Sequence, residues 1–516
     1  MSTYHRLVPR MQESGLWGWL GPAFVALLGG VLRFLNLGHP RAVVFDETYY
    51  AKDAYALLRF GAERETLGDD KNPIADRMLI AGDLNIWERC PPAPDCASYV
   101  AHPPLGKWMI AVGEWIFGMN PYGWRVAAAL AGTLMIFILA RLARRMTRST
   151  LLGCFAGLLL ALDGLHFVMS RIALLDIFLA FWVLAGFACL VVDRDKARGR
   201  LAEWHERSAA TLEGPWLGLR PWRLAAGACL GAACAVKWSG IFFLLAFALL
   251  SFLWDMGARR AVGLRKPYIG AINRDLPTAL GAMALAPALV FMATWTGWFV
   301  TDKGWGRNWD QATSSGPLFF AFDSFRSWLG YQTQLLSWHS TLAQPHTYMS
   351  EPWQWPLLQR PISFYWQGKI DCGGQECVQH VLAVGTPALW FAAALAMLGM
   401  VAWYVAGRDW RAGSVVLAYA AGWAPWVYYA LAHNRTMYFF YMVPLVPFMI
   451  LALTLVAGLV LGRADASPLR RAVGAASVGA YALVVLINFW WLSPVLSGQT
   501  VLHPDWWARM LLRTWA

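Results

Sequence analysis

The sequence predicts an all-α polytopic membrane protein with about eleven transmembrane helices. Three observations predict that class. Of 516 residues, 58% are apolar and only 14% are charged, with a mean hydropathy of +0.42; a soluble globule would carry roughly a quarter charged residues. Apolar runs of the ~20 residues needed to cross a hydrocarbon core recur along the chain. Basic residues alternate between the connecting segments as the positive-inside rule requires. The net charge of +12 is then carried by Arg-loaded cytoplasmic loops and gives no reason to expect nucleic acid as a partner.

The expected spans lie near 16–37, 122–141, 151–168, 172–192, 223–236, 240–254, 276–298, 382–405, 412–431, 436–461 and 472–492. The first has no small-residue cleavage site, so a retained helix is expected rather than a removed signal peptide. The two spans between 223 and 254 are short, and Ala235-Val236-Lys237-Trp238-Ser239-Gly240 is read as the turn between them. With the N-terminus cytoplasmic, the inner loops hold 21 Lys and Arg, whereas the short outer loops hold only Arg171, Lys237 and Arg435. Removing any one span destroys that alternation. The C-terminus therefore falls on the extracytoplasmic side. The chain divides into an N-terminal transmembrane module (1–298) with a long outer loop (38–121), a second outer loop (299–381) and a C-terminal transmembrane module (382–516).

Within the first outer loop, Thr48 to Phe60 has helical spacing with a mixed polar face. Pro103 to Met119 is apolar but short, with Pro near its start, a favoured first-turn residue. Both are expected to lie in the membrane interface. Between them runs an acidic insert, Glu63 to Asp95. The tail Asp505-Trp506-Trp507 suits an interfacial anchor.

Cys154, Cys189, Cys229 and Cys234 fall in spans and read as small apolar fillers. Cys90 and Cys96 share the first outer loop, and Cys372 and Cys377 share the second. On an oxidising face, local disulfides Cys90–Cys96 and Cys372–Cys377 are expected. Zinc is the rival reading, but no matching His pair accompanies the cysteines.

Asp46-Glu47, just past the first span, is the leading candidate for chemistry. An aspartate held near a sugar phosphate could take a proton from an attacking hydroxyl. Adjacent side chains point apart, so one acts and the other orients a partner. The competing reading is an acidic start to the helix that follows. Four arginines map to the same leaflet: Arg33, Arg125, Arg171 and Arg435. Arginine suits bidentate phosphate binding, and snorkelling to outer head groups is the alternative. Arg125 and Arg435 are the preferred pair. His102 and Lys107 flank a rigid Pro103-Pro104 and could position a phosphate or a sugar hydroxyl, or simply form an interfacial turn. Asp163, His166 and Asp176 flank the turn between the third and fourth spans; Asp176 needs a partner inside the bilayer, and Arg171 is the expected one. Trp338, His339, His346 and Trp353 in the second outer loop suit sugar or peptide binding, and equally a membrane-resting belt. No Walker A motif, no GxGxxG after a strand and no His-Glu-x-x-His is present, so ATP-driven or nicotinamide chemistry has no support.

Several motifs occur in order: Val44-Phe45-Asp46-Glu47-Thr48-Tyr49-Tyr50-Ala51-Lys52, His102-Pro103-Pro104-Leu105-Gly106-Lys107, Gly123-Trp124-Arg125, Ser170-Arg171-Ile172-Ala173-Leu174-Leu175-Asp176, Glu351-Pro352-Trp353-Gln354-Trp355-Pro356-Leu357 and Arg435-Thr436-Met437-Tyr438-Phe439-Phe440-Tyr441. Together they resemble the protein O-mannosyltransferases, in their actinobacterial branch, over nearly the whole chain. The resemblance implies a GT-C glycosyltransferase fold in the cell membrane. It implies transfer of mannose from polyprenyl-phosphate mannose to Ser or Thr of secreted or membrane proteins, with access to chains leaving the secretion channel. It implies Asp46 as the catalytic acid-base residue and Arg125 as the donor-phosphate arginine. Single displacement would invert the anomeric carbon. No cofactor and no essential metal are expected, since arginines could stabilise the leaving phosphate. The MIR domains of eukaryotic members are missing, because 299–381 is too short to hold them. The acidic insert has no assigned role. A lipid-linked sugar transferase with a glycan or lipid acceptor is the rival within the fold. A lipid transporter or flippase is the rival from another class, although no internal repeat supports it.

Overall fold

The computed structural model describes residues 7, 15–69, 71–87, 96–207, 211–307, 309, 319–463 and 465–516. Among these, nine helices are long and apolar enough to cross a membrane: Trp17–Phe34, Pro121–Thr147, Leu175–Arg207, Gly240–Ala261, Pro267–Thr294, Pro387–Gly407, Trp410–His433, Phe439–Leu461 and Pro468–Ser497. Two shorter apolar helices, Thr150–Ala161 and Pro221–Val236, complete the set. Each expected span thus has its helix, and the chain is a multi-pass membrane protein.

Local chemistry sets the boundaries. Ser149 caps Thr150–Ala161 by accepting from the Leu152 N–H. That helix stops early because Asp163 starts a new one, accepting from the His166 N–H. Asn120 accepts from the Tyr122 and Gly123 N–H groups ahead of Pro121, a strong helix start. The helix Leu105–Phe117 crosses Pro121–Thr147 at backbone contact; a Cβ on Gly123 would sit 1.9 Å from the Gly118 carbonyl. The two helices expected between the first and second spans form as Glu47–Phe60 and Leu105–Phe117. The most enclosed span, Phe439–Leu461, opens with a 3-10 turn, Phe439–Leu445, before its α-helix.

The all-α expectation needs one correction. The second outer loop and the C-terminal segment build a three-stranded antiparallel sheet in the order β1 (Ile362–Asp371), β2 (Glu376–Ala383), β3 (Thr500–Leu502). Ile362 pairs with Ala383, and Cys377 with Leu502. Cys372–Cys377 forms a disulfide at the β1–β2 turn, with the Cα atoms 6.0 Å apart. Cys96 is also disulfide-bonded; Cys90, its expected partner, lies outside the described residues. A further helix, Phe319–Thr341, runs through the second outer loop and delivers Trp338 and His339 in its last turn.

Candidate active site

Asp46 is the N-cap residue of Glu47–Phe60, and its carboxylate makes no capping hydrogen bond. Phe45 before it has a φ of +49°, a left-handed value that a non-glycine residue holds only when its surroundings enforce it. Two contacts enforce it here. The Phe45 ring packs on Phe364 at 5.0 Å and lies edge-on to His346, Tyr438 and Phe440. Behind it, Glu47 Oε2 accepts from the Val44 N–H at 2.9 Å. The turn leaves Asp46 half-buried while Glu47 points fully inward.

Glu47 is closed off from any ligand. Its carboxylate forms a two-point ion pair with Arg125, Nε–Oε1 at 2.7 Å and Nη2–Oε2 at 2.8 Å, and both residues have no exposed surface. Glu47 also accepts from the Ala173 N–H at 3.0 Å. Arg125 donates onward to the carbonyls of Leu37, Pro40 and Ala42. Every polar group of the pair is matched.

Arg125, Arg33 and Arg171, expected to face a lipid phosphate, are engaged with groups of the protein itself. Arg171 donates to the carbonyls of Leu32, Arg33, Leu35 and Asn36. Arg33 reaches the carbonyls of Gly29, Leu160 and Ala161 and lies 2.8 Å from His166 Nδ1. Arg171 neutralises carbonyls at the C-terminal end of the first span, and Arg33 covers those that end Thr150–Ala161 as well, where carbonyls lack helical partners; Arg33 Nε is buried without a partner. Lys107 is likewise engaged, with Glu63 and, at 3.8 Å, Asp53.

Arg435 and His102 are placed differently. Both line a cavity of about 230 Å³ whose other walls include Asp176, Lys237, Leu336, His339, Trp426 and Tyr441. Lys237 Nζ pairs with Asp176 at 2.7 Å and faces the Phe440 and Tyr441 rings at 5.6 Å each. Asp176 is therefore the partner of Lys237 and not, as expected, of Arg171. Arg435 Nε donates to the His339 carbonyl at 2.7 Å, and Nη1 to the Thr436 carbonyl at 3.1 Å. Its guanidinium stacks over Trp426 at 5.2 Å. Among the described residues its Nη2 has no hydrogen-bond partner.

Two stacked imidazoles roof the cavity. His102 and His339 lie 5.0 Å apart, with 25° between the planes. His339 Nε2 meets the Ala101 carbonyl at 2.5 Å, while His102 Nδ1 is buried with no hydrogen-bond partner. Burial, with the charges of Lys237 and Arg435 nearby, holds both below the usual imidazole range, His339 at about 4. They are neutral at physiological pH, so Lys237 and Arg435 supply the positive charge. Tyr50 links the cavity to the carboxylate. Its ring lies 6.1 Å from His102, and burial followed by the charges of Asp46 and Asp176 raises its phenol well above its ordinary value.

The remaining candidates spread over the second outer loop. Trp338 stands edge-on to His339 at 5.0 Å, and His346 belongs to the cage around Phe45. Trp353 is exposed and lines no described cavity. Among the described residues no group of three or more His, Cys, Asp or Glu converges as a metal site. The sequence reading missed Lys237, taking it as a turn residue. The signal was present: Lys237 is one of only three basic residues in the short outer loops, against the charge bias that singled out Arg435.

Comparison with known proteins joins the two halves of this site. A dolichyl-phosphate-mannose-protein mannosyltransferase family model matches residues 23–266, which include Asp46, His102 and Lys237. A model for the C-terminal four-span region of protein O-mannosyltransferases matches residues 324–515, which include His339 and Arg435. The chain is 38% identical over 512 residues to a polyprenol-phosphate-mannose–protein mannosyltransferase of Mycolicibacterium smegmatis strain MKD8, covering 96% of this chain and 93% of that one. It is 32% identical over 496 residues to the protein of that name from Corynebacterium glutamicum, covering 94% and 90%. Its fold is similar to the protein O-mannosyltransferase Pmt1-Pmt2 complex of Saccharomyces cerevisiae bound to the sugar donor. There the TM-score is 0.71 at 14% identity, over 99% of this chain and 94% of that one.

Proposed function

We propose, from the premise that this chain belongs to the dolichyl-phosphate-mannose-protein mannosyltransferase family, that it transfers mannose from polyprenyl-phosphate mannose to Ser and Thr hydroxyls of exported proteins. It is a membrane glycosyltransferase, and its working face is the extracytoplasmic side of the cell membrane. The observation that carries this reading is the cavity in which Lys237 and Arg435 stand together, joined through His102 and Tyr50 to the Asp46 loop.

The donor phosphate lies between Lys237 and Arg435. Arg435 Nη2 and the ammonium of Lys237 supply charge-assisted hydrogen bonds, and His102 offers a neutral ring nitrogen. Asp46 takes the proton of the acceptor hydroxyl. The hydroxyl oxygen bonds to the anomeric carbon as the bond from that carbon to the phosphate oxygen breaks. The electron pair leaves with the phosphate, which passes from one negative charge toward two. The two cations stabilise that developing charge, and the anomeric configuration inverts. Glu47 and Arg125 act one step back, fixing the loop that presents Asp46. Phosphate leaves readily, so no general acid is needed.

The test is purified protein in lipid bilayers with polyprenyl-phosphate mannose and a Thr/Pro-rich peptide, read by mass. Hexose addition to a peptide hydroxyl is expected. Asp46→Asn is expected to lose about 100- to 10,000-fold in turnover while donor binding is kept. Wild-type transfer by Asp46→Asn overturns the base assignment. Lipid movement across the bilayer with no hexose addition overturns the enzyme reading.

A further inference from the structure

We propose that the acceptor polypeptide binds in extended form along a polar groove of the first outer loop, between the Glu47–Phe60 helix and the strand-like segment Arg64 to Leu67. The inference rests on the transfer reading above and deepens it by naming where the acceptor backbone is held. The groove encloses about 340 Å³ and is walled by Thr48, Lys52 and Asp53 on one side and by Arg64, Thr66 and Asp69 on the other. Thr48 is two residues from Asp46, so the near end of the groove begins about 3 Å along the helix axis from the Asp46 backbone. A chain lying there can pass a hydroxyl to Asp46 while its flanking residues stay bound.

The wall segment is half of a ladder. The Glu65 N–H donates to the Cys96 carbonyl at 2.9 Å, the Leu67 N–H to the Ile86 carbonyl at 2.8 Å, and the Ser98 N–H to the Glu63 carbonyl at 3.2 Å. Arg64 pairs antiparallel with Ala97, and Thr66 with Trp87. Successive backbone groups of an extended strand point to opposite edges. The N–H and C=O groups of Arg64 and Thr66 therefore turn to the other edge, and among the described residues they have no hydrogen-bond partner. An open edge of this kind is a template for one more strand.

The charges argue for a polypeptide as the occupant. Lys52 and Arg64 stand among Asp53, Glu65 and Asp69, a mixed lining that does not favour a phosphate or an anionic head group. Recognition through backbone groups would leave the acceptor's side chains largely unspecified while fixing the register of one hydroxyl against Asp46. It also gives work to the acidic insert, which the family resemblance leaves without a role.

The experiment uses the wild-type protein in lipid bilayers with donor lipid and a set of Thr peptides, each N-methylated at a single backbone position. Methylation removes one peptide N–H without touching a side chain. Positions whose N–H meets the open edge are expected to raise KM about three- to tenfold each, alternating along the peptide with positions that change little, and kcat is expected to hold. Thr66→Pro, which removes the edge N–H of the protein, is expected to raise KM for the unmethylated peptide by a similar factor while donor-lipid affinity stays unchanged. Equal KM across the methylated set overturns the groove. No transfer by the wild type to any peptide overturns the transfer reading itself, so the two failures are told apart.

Discussion

Two buried acid–base pairs in this protein do opposite work. Glu47–Arg125 and Asp176–Lys237 both join a carboxylate to a cation at 2.7 Å, from residues far apart in sequence. Around Glu47–Arg125 every polar group is matched: two backbone N–H groups meet the carboxylate and three carbonyls meet the guanidinium. Around Asp176–Lys237 the pair opens on a cavity, with Arg435 beside it and an unmatched imidazole nitrogen on His102. Both are buried carboxylate–cation pairs. What separates scaffold from site is how much hydrogen-bonding capacity is left over once the protein has satisfied itself.

The comparison breaks hardest at the matched pair. Glu47→Ala leaves Arg125 buried without its carboxylate, and Arg125→Ala leaves the reverse; each is expected to cost about 3–5 kcal/mol of stability. Thermal unfolding in detergent or nanodiscs measures it, and a loss under about 1 kcal/mol would make the pair dispensable. Changing both residues to apolar ones of similar volume should recover only part of the loss. The Val44 and Ala173 N–H groups and the carbonyls of Leu37 and Ala42 would still lack partners.

The open pair should fail in activity before it fails in stability. Arg435→Ala is expected to lower kcat/KM for the donor lipid about 10- to 100-fold, the size of one or two hydrogen bonds to a charged group. Its unfolding temperature should fall by much less than that of Glu47→Ala. Arg435→Lys keeps the charge and loses the planar fork, so a loss of about tenfold is expected. Lys237→Met would leave Asp176 buried alone, so it is best made together with Asp176→Asn; kinetic loss with an intact fold is again expected. Full activity in either background would move the phosphate out of this cavity.

The sequence carried the spans and the family resemblance, because hydropathy, charge bias and motif order are one-dimensional signals. It did not carry the distinction between Arg125 and Arg435. Both open an outer-leaflet helix, and what separates them is a set of backbone carbonyls at 37–42 that no sequence pattern marks as acceptors. Asp176 was given to Arg171, five residues away, for the same reason: local pairing is visible in a sequence. The real partner, Lys237, lies 61 residues on. The β-hairpin was hidden because register shifts between Ser363 and Tyr365, and between Gln367 and Ile370, break the alternation that marks a strand.

The smallest effect sits in the first outer loop, where Asp53 is a third kind of acid, half-buried and incompletely paired. Lys107 is 3.8 Å away and is shared with Glu63. Burial outweighs that attraction and raises the Asp53 carboxyl to about 7 from an ordinary value near 3.8. The folded state thus holds this proton more tightly than the unfolded state does. The stabilisation is full below pH 3.8 and is lost as pH rises through about 7. His339, held down at about 4 from 6.5, has the opposite sign. Its contribution is present above pH 6.5 and is lost as pH falls through about 4, so the slope of the whole protein mixes the two. Subtraction isolates Asp53. The unfolding temperature of the wild type minus that of Asp53→Asn should fall steadily from pH 4 to pH 7. A flat Asp53 difference would mean that Lys107 pairs with Asp53 as completely as Arg125 pairs with Glu47, and the first outer loop would then belong with the matched scaffold.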